Sequence, residues 1–143
     1  MMAFLDGNDS WVSWFSGTEP EINLVEAESV IVLRRDSSMY VLSVQLTRHA
    51  PLNIELETWM RLGAASLNHF AGALAQAPAD GALWLIHCLE KGQDQKKLLQ
   101  CLEALLNQRD TWLAVIPRLS RLRLEAPSLS RYSLSRYLEN NHE

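Results

Sequence analysis

Cysteine is nearly absent from this 143-residue chain. Cys88 and Cys101 are its two cysteines and lack CxxC spacing, so the sequence holds neither a disulfide framework nor a zinc signature. Both are expected to be reduced, mostly buried thiols. Long apolar runs are missing too. Even Ala82 to Leu89 is interrupted by His87 and falls well short of the ~18 residues of a membrane span. Basic residues are in deficit, 13 against 17 acidic, giving a net charge of −4. Phosphate-backbone affinity is built from clustered Lys and Arg, so nucleic acid is not the default partner. Met1 to Ser10 carries Asp6 and Asp9 but no basic residue, unlike a secretory signal, which predicts a cytoplasmic protein.

The phosphate-loop, dinucleotide, nucleophile-elbow and zincin patterns do not occur. His49, His69, His87 and His142 lack the i, i+3 or i+4 spacing that aligns two metal ligands. His87 and Cys88 are adjacent on a predicted strand and point to opposite faces, which prevents a nucleophile–base pair. Glu26 with Glu28, and Glu55 with Glu57, read as solvated charge, the second pair complementing a helix N-terminus. The chemistry is therefore expected to involve no catalytic residue, no metal and no cofactor, and no small-molecule substrate.

What is present is an ordinary globular composition, 48% hydrophobic and 21% charged, in one domain's length. Trp11, Trp14 and Phe15 fall at i, i+3 and i+4 of a short helix that Asp9 or Ser10 would cap and Gly17 would end. Ile22–Val25, Ser29–Arg35 and Met39–Arg48 read as an antiparallel meander with Asp36-Ser37-Ser38 as a turn. A second helix is predicted near Ile54, with Asn53 as its N-cap. Leu56, Met60, Gly63, Leu67, Phe70 and Leu74 form its narrow seam. Residues 71–77 fit either its continuation or a weak strand before Pro78-Ala79-Asp80-Gly81. Ala82–Glu90 reads as a strand apolar on both faces. Asp94 would cap a last helix with a broad leucine-rich stripe, and Pro117 would end it.

Charge is divided along the chain. Residues 1–60 carry nine acidic and three basic side chains, a net of −6, whereas residues 91–143 carry six and nine, a net of +3. Arg118, Arg121, Arg123, Arg131 and Arg136 face a single Glu125 in residues 118–138, and Ser-Leu-Ser-Arg-Tyr is repeated at 128–132 and 133–137. The predicted organisation is one domain over 1–125 and a C-terminal tail over 126–143. Five tryptophans at this length suggest more apolar surface than one small core uses.

The stretch from Leu67-Asn68 through Asp80-Gly81-Ala82-Leu83-Trp84-Leu85-Ile86 to Leu98-Leu99-x-x-Leu102-Glu103-Ala104-Leu105-Leu106-Asn107-Gln108-x-Asp110-x-Trp112 resembles the class I chaperones of bacterial type III secretion, the Tir chaperone-like family. The resemblance implies an α+β fold of order α-β-β-β-α-β-β-α, an antiparallel twisted sheet of about five strands with three helices. Residues 71–76 then become a strand and the second helix stops near Phe70. It also implies a cytosolic homodimer that binds the N-terminal segment of a secreted effector in extended form, without membrane insertion. On this reading Trp11, Trp14, Phe15, Ile22, Leu24, Val30 and Val32 are expected to face the bound protein. Trp59, Met60 and Leu67 of the second helix, with Trp84 and Ile86, are expected at the dimer interface. Two other expectations compete: a regulatory module sequestering a secretion component or a transcriptional activator, and nucleic-acid binding through the arginine-rich C-terminus.

Overall fold

The computed structural model describes residues 9–125. Along the chain run α1 (Asp9–Ser16), β1 (Glu21–Glu26), β2 (Ser29–Arg35), β3 (Met39–Gln45), α2 (Asn53–Ala65), β4 (Ala73–Gln76), β5 (Leu83–Glu90) and α3 (Gln95–Glu125). This is the expected element order. The strands form one antiparallel sheet in the spatial order β1-β2-β3-β5-β4. The predicted tail, residues 126–143, lies outside the described residues.

Strand alternation divides the sheet into two unlike faces. Leu24, Ile31, Leu33, Tyr40, Leu42, Val44, Leu83 and Leu85 share the inner face and pack with Trp11, Trp14, Trp59, Leu98, Leu102, Leu105, Leu106, Trp112 and Ile116 of the helices. The three helices of the described residues thus cover one side. Four of the five tryptophans are buried in this single core, so it absorbs more of the bulky rings than the composition suggested.

Local chemistry sets the turns. The Asp36 carboxylate accepts the N–H groups of Ser38 and Met39 at 2.9 and 2.8 Å, closing the β2–β3 turn. Those two bonds hold its pKa below the usual carboxylate value of 3.8. The β1–β2 loop has two residues, Ala27 and Glu28, both in the left-handed region at φ 49° and 66°. Asn-Gly is the pair that suits this turn; Cβ crowding strains the pair found here. Gly81, at φ 76°, has no room for a side chain, because a Cβ there would stand 2.7 Å from that of Ala50.

Four expectations need correction. Pro117 does not end α3, which runs on to Glu125. Proline removes one N–H, normally paired with the carbonyl four residues back, a single lost bond set against the burial of Trp112 and Ile116 on the same stretch of helix. Asn53 is the first residue of α2 rather than its cap. Leu52 holds the cap position and makes no side-chain cap bond, while Asp94 does cap the start of α3 by accepting Lys97 N–H at 2.8 Å. The second helix stops at Ala65, not Phe70, closed by bonds from Ser66 N–H to the Leu62 and Gly63 carbonyls. Cys88 is exposed rather than buried, because it belongs to the uncovered face of β5.

The depressed Asp36 pKa stabilises the fold above the unfolded-state value, and this contribution is lost as pH falls through the lower folded value. NMR titration should place the Asp36 carboxyl below 3.8, and Asp36→Ala should remove this part of the acid-range dependence. Replacing Ala27-Glu28 by Asn-Gly should raise stability by roughly 1–2 kcal/mol in urea unfolding.

Candidate functional site

An antiparallel sheet with an open edge can bind another chain by adding its strand, so the two outer strands are where recognition by this fold is to be sought. At β1, Arg35 N–H donates to the Pro20 carbonyl at 2.9 Å, and Leu24 pairs with Ile31. This phase turns the backbone groups of the even-numbered residues toward β2. The N–H and C=O of Glu21, Asn23 and Val25 therefore point away from the sheet. Val25 is 61% exposed.

Beside this edge lies α1, too short at eight residues to hold its own helix. Arg35 fastens it. Its guanidinium donates to the Glu19 and Gly17 carbonyls, each at 2.9 Å, and to the Trp14 carbonyl, and it lies 4.1 Å from the centroid of the Trp14 ring. These bonds satisfy carbonyls at the helix end, where cations are favoured. Phe15 stacks on Tyr40 with centroids 6.1 Å apart.

The far end of β1 is held by Arg109 of α3, 1% exposed. Its guanidinium bonds the Glu26 carboxylate, the Glu26 carbonyl at 3.2 Å, and the Asp110 carboxylate at 2.9 and 2.8 Å. A buried guanidinium is tolerated only with such compensation. By contrast, the Arg48–Glu28 and Arg61–Glu57 pairs are exposed and contribute little.

The other edge is built differently. Ala77 N–H donates to the Ala82 carbonyl at 2.8 Å, so Ala73 and Ala75 of β4 bond β5 while Leu74 and Gln76 turn outward. Just before β4, the N–H of Gly72 donates to Gln108 Oε1 at 2.9 Å, and Gln108 Nε2 donates to the Gly72 carbonyl at 3.0 Å. Gln108, from α3, is itself 1% exposed.

Among the described residues no helix lies on the sheet's outer face. The register aligns Asn23, Val32, Ser43, Ile86 and Ala73 in one row across all five strands, with Val30, Val41 and Trp84 on the same face. Apolar and polar groups are mixed there and mostly half-buried.

The residues expected to face a bound protein are thus split between two surfaces. Trp11, Trp14 and Leu24 are buried in the core, Phe15 and Ile22 are partly exposed on the helix side, and Val30 and Val32 lie on the outer face. The residues expected at a dimer interface divide likewise. Trp59 is buried against Trp112, Met60 and Leu67 are 58% and 71% exposed, and Trp84 and Ile86 share the outer face with Val30 and Val32. Both groups mixed the two faces, since apolar character marks them alike in sequence. Gln108 and Arg109 were missed altogether. The available signal was that Arg109 falls on the apolar stripe itself, four residues after Leu105 and three before Trp112.

Among the described residues no group of His, Cys, Asp and Glu could hold a metal ion, and no helix is long and apolar enough to cross a membrane. His87 Nδ1 lies 3.3 Å from the Ala71 carbonyl, a structural contact at the start of the β4 segment.

Removing one partner of the buried Arg109 cluster leaves the Glu26 carboxylate uncompensated. Arg109→Met is expected to lower unfolding free energy by about 3–5 kcal/mol in denaturant titration, and Glu26→Gln by less.

No family model matches the chain, and no curated protein matches it. Solved structures do. A chain of the heterodimeric ExoU–SpcU complex from the type III secretion system of Pseudomonas aeruginosa is 20% identical, with TM-score 0.54 over 74% of this chain and 94% of that one. A chain of the HopA1–SchA chaperone–effector complex is 12% identical, with TM-score 0.56 over 80% and 98%. One in the ExsC–ExsE complex is 14% identical, with TM-score 0.54 over 67% and 75%. At these identities the likeness is one of fold: this chain adopts the fold of protein chains found in type III secretion and chaperone–effector complexes.

Proposed function

We propose that this protein is a chaperone of bacterial type III secretion that binds the N-terminal segment of a secreted effector in extended form, in the cytoplasm and without catalysis. The observation that carries this reading is the β1 edge, which among the described residues no further strand covers, on a fold otherwise found in chaperone–effector complexes. Holding a segment extended requires binding energy and exclusion of competing contacts, both of which a sheet edge supplies. Backbone groups of Glu21, Asn23 and Val25 would pair with the captured strand. Its alternate side chains would meet Phe15 and Ile22 on the helix side and Val25 with Val30 on the other. Trp11, Trp14 and Leu24 support that surface from beneath.

Dimerisation fits the exposed Met60 of α2 and Leu67 just beyond it, an apolar patch that a two-fold axis would make self-complementary on the helix side; Trp84 and Ile86 lie on the opposite face of the sheet and belong to a separate surface. Residues 1–125 would then be the binding domain and residues 126–143 an appendage to it.

Val25→Pro tests the reading. Proline deletes an N–H that points away from the sheet, so the fold's own ladder keeps all its bonds. Co-expressed with the N-terminal ~100 residues of a secreted protein of the same bacterium, a length within one domain's range, the wild type should co-purify as a stable complex. The variant should lose affinity at least ~10-fold, about 1.4 kcal/mol, with unchanged circular dichroism. Equal binding by the folded variant would sink strand capture at β1.

A further inference from the structure

We propose that Gln108 closes the β4 edge of the sheet and thereby confines strand addition to β1. The choice of β1 rests on the strand-capture reading above; the closure of β4 does not.

In backbone terms the two outer strands are alike, each antiparallel to its neighbour and each with outward-pointing groups. An unprotected second edge would template pairing with another copy of the chain or with the wrong part of a client. The difference between the edges lies in Gln108. A glutamine amide has the donor and acceptor of a peptide unit on one planar group. Here both are spent on a single residue, Gly72, in the two-bond exchange that a neighbouring antiparallel strand would make. The side chain therefore stands where the next strand would begin.

Glycine at 72 belongs to the same device. A Cβ there would lie 2.5 Å from Gln108 Oε1 and 2.5 Å from Leu105 Cδ1, so the backbone is drawn tight against α3. This close packing seats the Gln108 amide within reach of both backbone groups of Gly72. What remains outward on β4 is Leu74 and Gln76, and the Gln76 side chain is turned back to the Gly81 carbonyl at 3.1 Å. β1 offers three consecutive outward-facing residues to this shortened pair. A leucine at 108 would extend the apolar stripe of α3, but it would leave the Gly72 N–H and C=O facing outward.

Sedimentation of the full chain with no partner added reads the closure directly. Gln108→Ala is expected to at least double the wild-type mass at concentrations where the wild type does not change. Adding Gln76→Pro, which deletes an outward N–H of the same edge, should restore the wild-type mass. A folded Gln108→Ala variant that keeps the wild-type mass overturns the proposal, and so does association that survives Gln76→Pro. If Gln108→Ala does not fold, amide exchange of the wild type decides: the Gly72 N–H should be as protected as interior amides of β5, and rapid exchange there overturns closure. Failure of strand capture shows elsewhere, as unimpaired binding by Val25→Pro, and leaves these partner-free outcomes unaffected.

Discussion

A guanidinium with 1% exposure cannot stay charged in an apolar core without close anionic and carbonyl partners, and Arg109 finds them 83 positions away at the end of β1. Much of the sheet's arrangement follows from that requirement. Glu26 must sit under α3, which fixes where the edge strand ends. The next two residues must then reverse the chain at once, even though neither Ala27 nor Glu28 suits the left-handed region they occupy. The strain is local and the cluster holding it is buried. One residue earlier on the same helix, Gln108 reaches the opposite edge. Two adjacent positions of α3 therefore hold both margins of the sheet, one by charge and one by a neutral amide.

This arrangement gives the molecule an orientation. Among the described residues, three helices bury one face of the sheet around a core that takes in four tryptophans, while the other face is a mixed surface of valines, Ile86, Trp84 and polar groups. Antiparallel sheets tolerate such one-sided covering because alternation separates the two kinds of side chain. On the proposed reading, binding falls to the margin and the uncovered face, where backbone groups and half-buried apolar groups adjoin. The short α1, tied down by Arg35 through three carbonyls and the Trp14 ring, keeps the helix side of that margin in place.

Much of the fold was legible in the sequence. The 3.6-residue and two-residue periods placed three helices and four of the strands, whereas β4 followed only from the family resemblance, and Asp36-Ser37-Ser38 and Asp94 announced a turn and a cap through local side-chain chemistry. Helix ends were less legible. Pro117 lies within α3 because the cost of one lost backbone bond is weighed against the packing of the flanking turns, Trp112 and Ile116 among them, which is a matter of surroundings. The site was legible only in part. Val30, Val32, Trp84 and Ile86 were marked as apolar surface but assigned to two different surfaces, because strand pairing, not spacing, brings them onto one face. Trp11, Trp14 and Trp59 were marked for the same apolar character and lie in the core.

The sequence by itself determined the class: a small α+β domain with few cysteines, no motif for phosphate, dinucleotide or zinc, and charge split between its halves. Local periodicity and turn chemistry suffice for that, since both act over a few residues. Only the tertiary structure decided which sheet margin is open. Gln108 meets Gly72 across 36 positions and Arg109 meets Glu26 across 83. No local pattern encodes such contacts, because a buried polar residue becomes intelligible only when the group that satisfies it is brought alongside.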